Sequence, residues 1–361
     1  MEKLVISPKF WQGKKVLLTG HTGFKGSWLS LWLQNLGAQV TGLSLAPITN
    51  PNLFDAAHVA DDMTSIVGDI RDLSLVKDVF TQYQPDIVIH LAAQALVRAS
   101  YDDPVETYQT NVMGTLNILE ALRLCDGVKA AIMVTTDKCY DNKEQHRPYQ
   151  ETDPLGGHDP YSSSKACAEL LIDSYRCSFF SDQQSTAIAS VRAGNVIGGG
   201  DWSVERLIPD IVAAAKSKQA LTIRYPQAIR PWQHVLEPLN GYLMLAEQLF
   251  MHGHSYAQAW NFGPLNEGEK SVRWIADYFV QCWPDFSWES NGEQQPHEAS
   301  ILKLDCRKAQ TQLAWSPNWS IEQTLEQIDK WYNDFNNNYN MKQVCLEQIE
   351  LFSNDLALKS R

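Results

Sequence analysis

Apolar residues in the first half of the chain fall into short β-rich runs separated by longer stretches in which they recur every three or four positions. "KKVLLT" precedes a helical pattern over 24–36, and "AQVTGLSL" follows it. "SIVG" precedes 73–83, "DIVIHLA" precedes 104–124, "AAIMVTT" precedes 160–180, and "AIASVRA" closes the series. Such an alternation implies right-handed βαβ units and a parallel sheet covered on both faces. The expected fold is α/β, a doubly wound parallel sheet.

From about residue 192 the alternation loosens, Pro and Trp become frequent, and short segments such as "LTIRY" and "SWES" sit between helical stretches. This predicts a smaller lobe from about 192–232 and 267–345, packed on a first unit of 1–191 plus about 233–266, with 346–361 as a tail. No linker, repeat or low-complexity tract separates the units, so tight packing is expected rather than a tether. After Trp331 the chain turns polar ("NDFNNNYN"), compatible with a terminal helix or with partial disorder.

Charge narrows the function. At 361 residues the formal net charge is −12, which argues against nucleic-acid or anionic-membrane partners, since those surfaces need a basic field. Any anionic ligand must meet a local basic cluster. Seven cysteines lie scattered with no C-x-x-C pair, as suits a reducing cytoplasm. Nine histidines form no H-E-x-x-H or comparable set, so no metal site is expected. "MEKLVISPKFWQGKK" lacks an apolar signal core and no segment approaches a membrane-spanning run, so neither export nor membrane insertion is expected.

The first strand runs into "TGHTGFKGSW", which places Gly20, Gly23 and Gly26 at a strand-to-helix turn. Glycines there let backbone N–H groups approach a pyrophosphate at the positive helix end. Gly20, Thr22, Gly23, Phe24, Lys25 and Gly26 form the candidate cradle. "GDIRD" after the third strand adds Asp69 and Ile70 on the adenine side, and "HLAAQ" ends the fourth strand with Leu91, Ala92 and Ala93, small enough beside Gln94 for a nicotinamide ring to approach. The acid that should end strand two on the ribose is missing; Ser44 of "GLSLAP" stands there. No Arg replaces it, which favours NAD over NADP.

"DPYSSSKACAELL" puts Tyr161 and Lys165 four apart on one helical face. A lysine cation beside a phenol favours phenolate, a usable base near neutral pH. Thr136, at the end of the preceding strand, completes a hydroxyl, tyrosine and lysine set.

With "LLTGHTGFKGSW", "LAAQ", "TTDKCY", "YSSSK", "VRAGNVIGGGDW" and "RPWQHVLEP" together, nearly the whole chain resembles the extended short-chain dehydrogenases of the nucleotide-sugar epimerase/dehydratase family. The resemblance implies a Rossmann domain with a substrate-binding lobe, NAD, and a homodimer or homotetramer packed through the helices at 104–124 and 160–180, whose apolar faces would include Leu116, Leu119, Leu122, Leu170 and Ile172. Where epimerases carry a neutral pair after the active threonine, dehydratases carry an acid pair. This chain has Thr136-Asp137-Lys138, a departure shared by the branch acting on CDP-glucose, which implies that substrate.

The implied chemistry is oxidation at C4 with Tyr161 taking the hydroxyl proton, loss of water across C5 and C6, and return of the hydride to C6. Asp137 would be the acid for the departing hydroxyl and so needs an environment that raises its pKa. Lys138 would be a neutral base or a cation on the enolate. The family pattern aligns Asn195 with a diphosphate contact, Arg206 and Leu207 with the nucleotide pocket, and Arg230 with a phosphate grip; Arg192 and Arg224 lie in the same stretch. His297 falls near a C-terminal substrate contact, although the family's R-P-G-H is "QQPH" here. A 4-epimerase or reductase on the same fold, and a dinucleotide-sensing module without catalysis, are the competing readings.

Overall fold

The computed structural model describes residues 6–145, 147–265, 268–290 and 302–359. Its centre is a seven-stranded parallel sheet. In chain order the first six strands are β1 (Lys15–Thr19), β2 (Gln39–Ser44), β3 (Thr64–Val67), β4 (Ile87–His90), β5 (Ala130–Val134) and β6 (Ala187–Arg192), and Ala259–Asn261 adds the seventh. In space they run β3-β2-β1-β4-β5-β6 and then the seventh strand on the edge beside β6. The chain therefore leaves β1 toward one edge and returns through β4 toward the other, so a crevice opens between their carboxyl ends. Thr19 of β1 is in register with His90 of β4, and their side chains hydrogen-bond at 2.7 Å.

The apolar runs become strands because both faces are covered. All five residues of Ala130–Val134 are buried. One face packs into a cluster that joins Trp28, Leu239, Trp260, Ile275, Trp331 and Phe352, drawn from both halves of the chain. The other packs Leu17, Val88 and Met133 against Ile118 and Ile172. "LTIRY" and "SWES" pair with each other, as the parallel two-residue strands Leu221–Thr222 and Trp288–Glu289.

Two elements differ from expectation. The pattern over 104–124 is broken into Pro104–Tyr108, a π-helical turn Gln109–Met113, and Gly114–Leu124. The extra residue in that turn carries Asn111 inward, where its amide donates to the Gln94 carbonyl at 3.0 Å and to Ser164 Oγ at 2.9 Å. In addition, Leu119, Leu122 and Ile172 are not on an outer face. They are buried against the sheet, and of the five leucines and isoleucines expected outside only Leu170 is strongly exposed.

The Asn-rich stretch after Trp331 ends one helix, Ile321–Asn336, and leads into another, Met341–Lys359. That last helix lies on Phe24–Asn35, the helix that follows the glycine loop. Phe352 meets Trp32 and Trp319 edge to face, with ring centroids 5.9 and 5.0 Å apart. Phe352→Ala should therefore destabilise the fold by about 3–5 kcal/mol in urea denaturation, whereas Leu358→Ala, exposed on the same helix, should change it by less than about 0.5 kcal/mol.

Candidate functional site

The glycine loop is built by close approach. Gly20 has φ +77°, and a Cβ there would lie 2.8 Å from the Ala92 nitrogen; a Cβ on Gly26 would lie 2.0 Å from the Gly20 carbonyl oxygen. Helix Phe24–Asn35 starts at Gly23 with no side chain capping it, so its first N–H groups face the crevice between β1 and β4. These features fit a dinucleotide pyrophosphate. Thr22 is turned toward the end of β2, bonding Ser44 Oγ at 2.9 Å and the Leu45 carbonyl at 2.8 Å, where the missing acid would have stood. Asp69 accepts from the Arg71 backbone and from its Nε, both at 2.8 Å, which holds its carboxyl below the usual range.

At the end of β5 the backbone turns through the short 3-10 helix Asp137–Cys139. Thr136 Oγ1 donates to Asp137 Oδ1 at 2.9 Å and accepts from the Lys138 N–H at 3.3 Å. Asp137 is buried and Lys138 half-buried. Helix Pro160–Phe179 opens beside them, its N-terminus capped by Asp159, which accepts from the Ser162 N–H at 2.8 Å, with Pro160 at the first helical position. Tyr161 and Lys165 are both buried on that helix. The Tyr161 phenol is pushed up to about 12, chiefly by burial, while Thr136 and the Arg206 charge pull it down. Lys165 is lowered to about 8 by burial, and its ammonium donates to the Val134 carbonyl at 3.3 Å. The Asp137 charge raises the phenol and the Arg206 charge lowers it, while the Lys165 ammonium, one turn along the same helix, rests on the strand carbonyl.

Residues far apart in sequence meet here. Lys25 is lowered to about 8, first by burial and then by Arg206 and Lys165, while Asp137 and Asp201 pull it up. Arg206 pairs with Asp201 at 3.3 Å. Leu207 begins the helix Leu207–Ser217, and Asn195 sits at φ +49°, a conformation asparagine tolerates better than most residues. Arg230 lies on the strand Ile229–Pro231, which pairs with Glu269–Ser271; Arg224 is half-buried close by. Arg192, by contrast, is buried in a two-pronged ion pair with Glu169 (2.9 and 2.8 Å) and cannot serve as a diphosphate cation. Gln94 has its amide committed to its own loop, donating to Leu96 O at 3.1 Å and Thr107 Oγ1 at 2.9 Å and accepting from the Leu96 N–H. His297 lies outside the described residues.

Four residues of this neighbourhood were not singled out from the sequence: Asn111, Glu169, Gly194 and Gln233. A Cβ on Gly194 would lie 1.9 Å from Asp137 Oδ2, so the carboxylate rests on that glycine's backbone. Gln233 had one legible signal, a polar amide between Trp232 and His234 in an otherwise buried run. Asn111 had none, since the helical pattern continues through its turn.

A doubly wound sheet with a glycine loop, a strand-end Thr-Asp-Lys and a Tyr-x-x-x-Lys helix defines an extended short-chain dehydrogenase. The chain belongs to the family whose model, described as GDP-mannose 4,6 dehydratase, matches residues 17–328. It is 51% identical to the CDP-glucose 4,6-dehydratase of Salmonella typhimurium over 91% of this chain and 93% of that one. It is 28% identical to a UDP-glucose 4-epimerase of Halalkalibacterium halodurans, over 90% of this chain and 97% of that one. Among solved structures, the dTDP-glucose 4,6-dehydratase DesIV of Streptomyces venezuelae, with NAD and TYD bound, superposes with a TM-score of 0.75 at 22% identity, covering 91% of this chain and 99% of that one.

The lowered Lys165 gives a signed pH effect. Between about 8 and the ordinary lysine value of 10.5, the unfolded chain keeps a proton that the folded chain has lost, so stability contributed at this site rises with pH. Lys165→Met should be more stable than wild type at pH 7, by at most about 3 kcal/mol, and lose that advantage as pH rises through this window. Guanidinium denaturation at pH 7, 8.5 and 10 checks it.

Proposed function

We propose that the chain converts CDP-glucose to CDP-4-keto-6-deoxyglucose and water, as a cytoplasmic enzyme using NAD. The observation that carries this reading is the buried Asp137 of Thr136-Asp137-Lys138 beside Tyr161. A 4-epimerase moves hydrogen at C4 alone and needs no acid for a leaving group; a dehydratase does. The 51% identity to a CDP-glucose 4,6-dehydratase supports the nucleotide, and seven free thiols suit the compartment. No helix among the described residues is long and apolar enough to cross a membrane.

NAD, cradled by Gly20 to Gly26 with Asp69 and Ile70 toward its adenine and Leu91 to Ala93 beside its ring, would supply reversible hydride acceptance. The protein's own groups move protons. Tyr161 takes the proton of the C4 hydroxyl, the Arg206 charge and Thr136 lowering the cost of the phenolate. A ketone at C4 acidifies the C5 hydrogen. Asp137, protonated, then gives its proton to the departing C6 hydroxyl, and Lys138 beside it removes the C5 proton or holds the enolate charge. Asn195, Arg206, Leu207, Arg224 and Arg230 supply the nucleotide-diphosphate site of the second lobe, formed by about 192–232 and 267–345, with Gln94 shaping the sugar side.

We also infer a homodimer, or a tetramer built from it. The exposed apolar residues Tyr101, Val105, Tyr108, Met113 and Leu170 lie on helices that pack on one another, and an apolar groove runs from Pro104 to Met113.

Single-turnover quenching followed by mass spectrometry tests the reaction. Tyr161→Phe should yield no ketone. Asp137→Asn should form a 4-keto sugar that keeps its C6 oxygen, with elimination slowed roughly 10²–10⁴-fold; turnover at the wild-type rate would show the strand-end acid to be structural. A wild-type product of the same mass as the substrate would point to the epimerase instead. Light scattering at micromolar concentration should report at least a dimer for wild type and a monomer for the Met113→Asp, Leu170→Asp double variant.

A further inference from the structure

Beside the Asp137 carboxylate lies a cavity of about 20 Å³, room for one water-sized oxygen. Gly194, Pro231, Gln233, Glu269 and Lys303 contribute to its wall. Glu269 and Lys303 neutralise each other at 2.5 Å. Gln233 is 3% exposed, and its Nε2 donates to the Gly194 carbonyl at 3.1 Å and the Phe262 carbonyl at 3.0 Å. Two carbonyl acceptors fix which end of the amide is nitrogen. Its oxygen, Oε1, is left buried and without a donor among the described residues, an arrangement that native interiors avoid unless a ligand or water completes it. Across the cavity, Asp137 can lie where it does only because residue 194 has no side chain.

We propose that this cavity receives the C6 hydroxyl of the sugar, with Gln233 Oε1 accepting the hydroxyl hydrogen while Asp137 donates to the hydroxyl oxygen. The assignment rests on the dehydratase reading above. During elimination the Asp137 O–H bond breaks and its proton joins the C6 oxygen; the C6–O bond breaks with its electron pair going to that oxygen. The electrons of the C5–H bond form the C5=C6 double bond as the C5 proton passes to the base. The water produced carries two hydrogens, and the proposal gives each an acceptor: the Asp137 carboxylate for one and Gln233 Oε1 for the other. Gln233 is thus a second contact to the leaving group, and Gly194 is a positioning residue that keeps the acid within reach of it.

Gln233→Leu tests the proposal. By calorimetry the variant should bind CDP-glucose about tenfold more weakly and CDP-6-deoxyglucose, which has no C6 hydroxyl, as the wild type does. In quenched single turnovers its 4-keto sugar should form within about threefold of the wild-type rate, then lose water roughly 10–100-fold more slowly. Equal weakening toward both nucleotides, or elimination at the wild-type rate, overturns the assignment. If the variant does not fold, the wild type decides: it should prefer CDP-glucose over CDP-6-deoxyglucose by about tenfold or more, and equal affinity overturns the proposal. Failure of the underlying reading is distinguishable, because wild-type enzyme would then release no water from CDP-glucose at all.

Discussion

Glu169 and Arg192 are buried together where the Tyr161 helix crosses the ends of β5 and β6, and the placing of the reactive side chains depends on that pair. Glu169 accepts from both prongs of Arg192, from Ser190 Oγ at 2.8 Å and from Thr135 Oγ1 at 2.5 Å. Arg192 continues to the Tyr140 hydroxyl at 2.8 Å and the Glu151 carbonyl at 3.1 Å. A buried ion pair contributes little net stability by itself, but leaving either member unpaired is costly, so the pair holds one geometry. Glu169 lies one turn beyond Lys165 and two beyond Tyr161, and Thr135 immediately precedes Thr136. One carboxylate therefore fixes the phenol helix to the strand end that carries the acid.

Around that frame the acidic protein concentrates positive charge in one place. Burial lowers both Lys25 beside the glycine loop and Lys165 on the Tyr161 helix; Arg206 and Lys165 lower Lys25 further, with Asp137 and Asp201 opposing. Cations held close in a low-dielectric crevice repel, and an anion entering between them relieves that repulsion. A chain of formal charge −12 thus still presents a local cluster of cations to an anionic ligand. Glycines supply the complementary constraint, since Gly20, Gly26 and Gly194 each bring backbone or carboxylate closer than any side chain would allow.

Local chemistry made most of the first unit legible. The βαβ series could be read from apolar runs because each strand is buried on both faces, and the glycine loop, Thr136, Asp137, Tyr161 and Lys165 stand at element ends, where sequence position and spatial position nearly coincide. Strand and helix bounds at β1, Phe24–Asn35, β2 and Leu73–Tyr83 follow the periodicity closely. The stretch after about residue 192 was harder to read, because strands such as Leu221–Thr222 and Ile229–Pro231 are two or three residues long and exist only by pairing with segments far along the chain.

What the sequence determined by itself is therefore the class of fold, the cofactor loop and the types of group at the reactive strand end. Only the tertiary structure decided how the arginines of the later stretch are partnered. Arg192 and Arg206 are both strand- or helix-terminal arginines in one stretch of sequence, yet the first is buried against Glu169 while the second stays half-buried in an ion pair with Asp201. It also decided that Lys165 donates to a strand carbonyl, that Leu119 and Ile172 face inward, that Gly194 meets Asp137, and that Gln233 lines the same small cavity as that carboxylate. Each of these depends on contacts between residues tens of positions apart, and neither composition nor a period of two or 3.6 carries information about such distances.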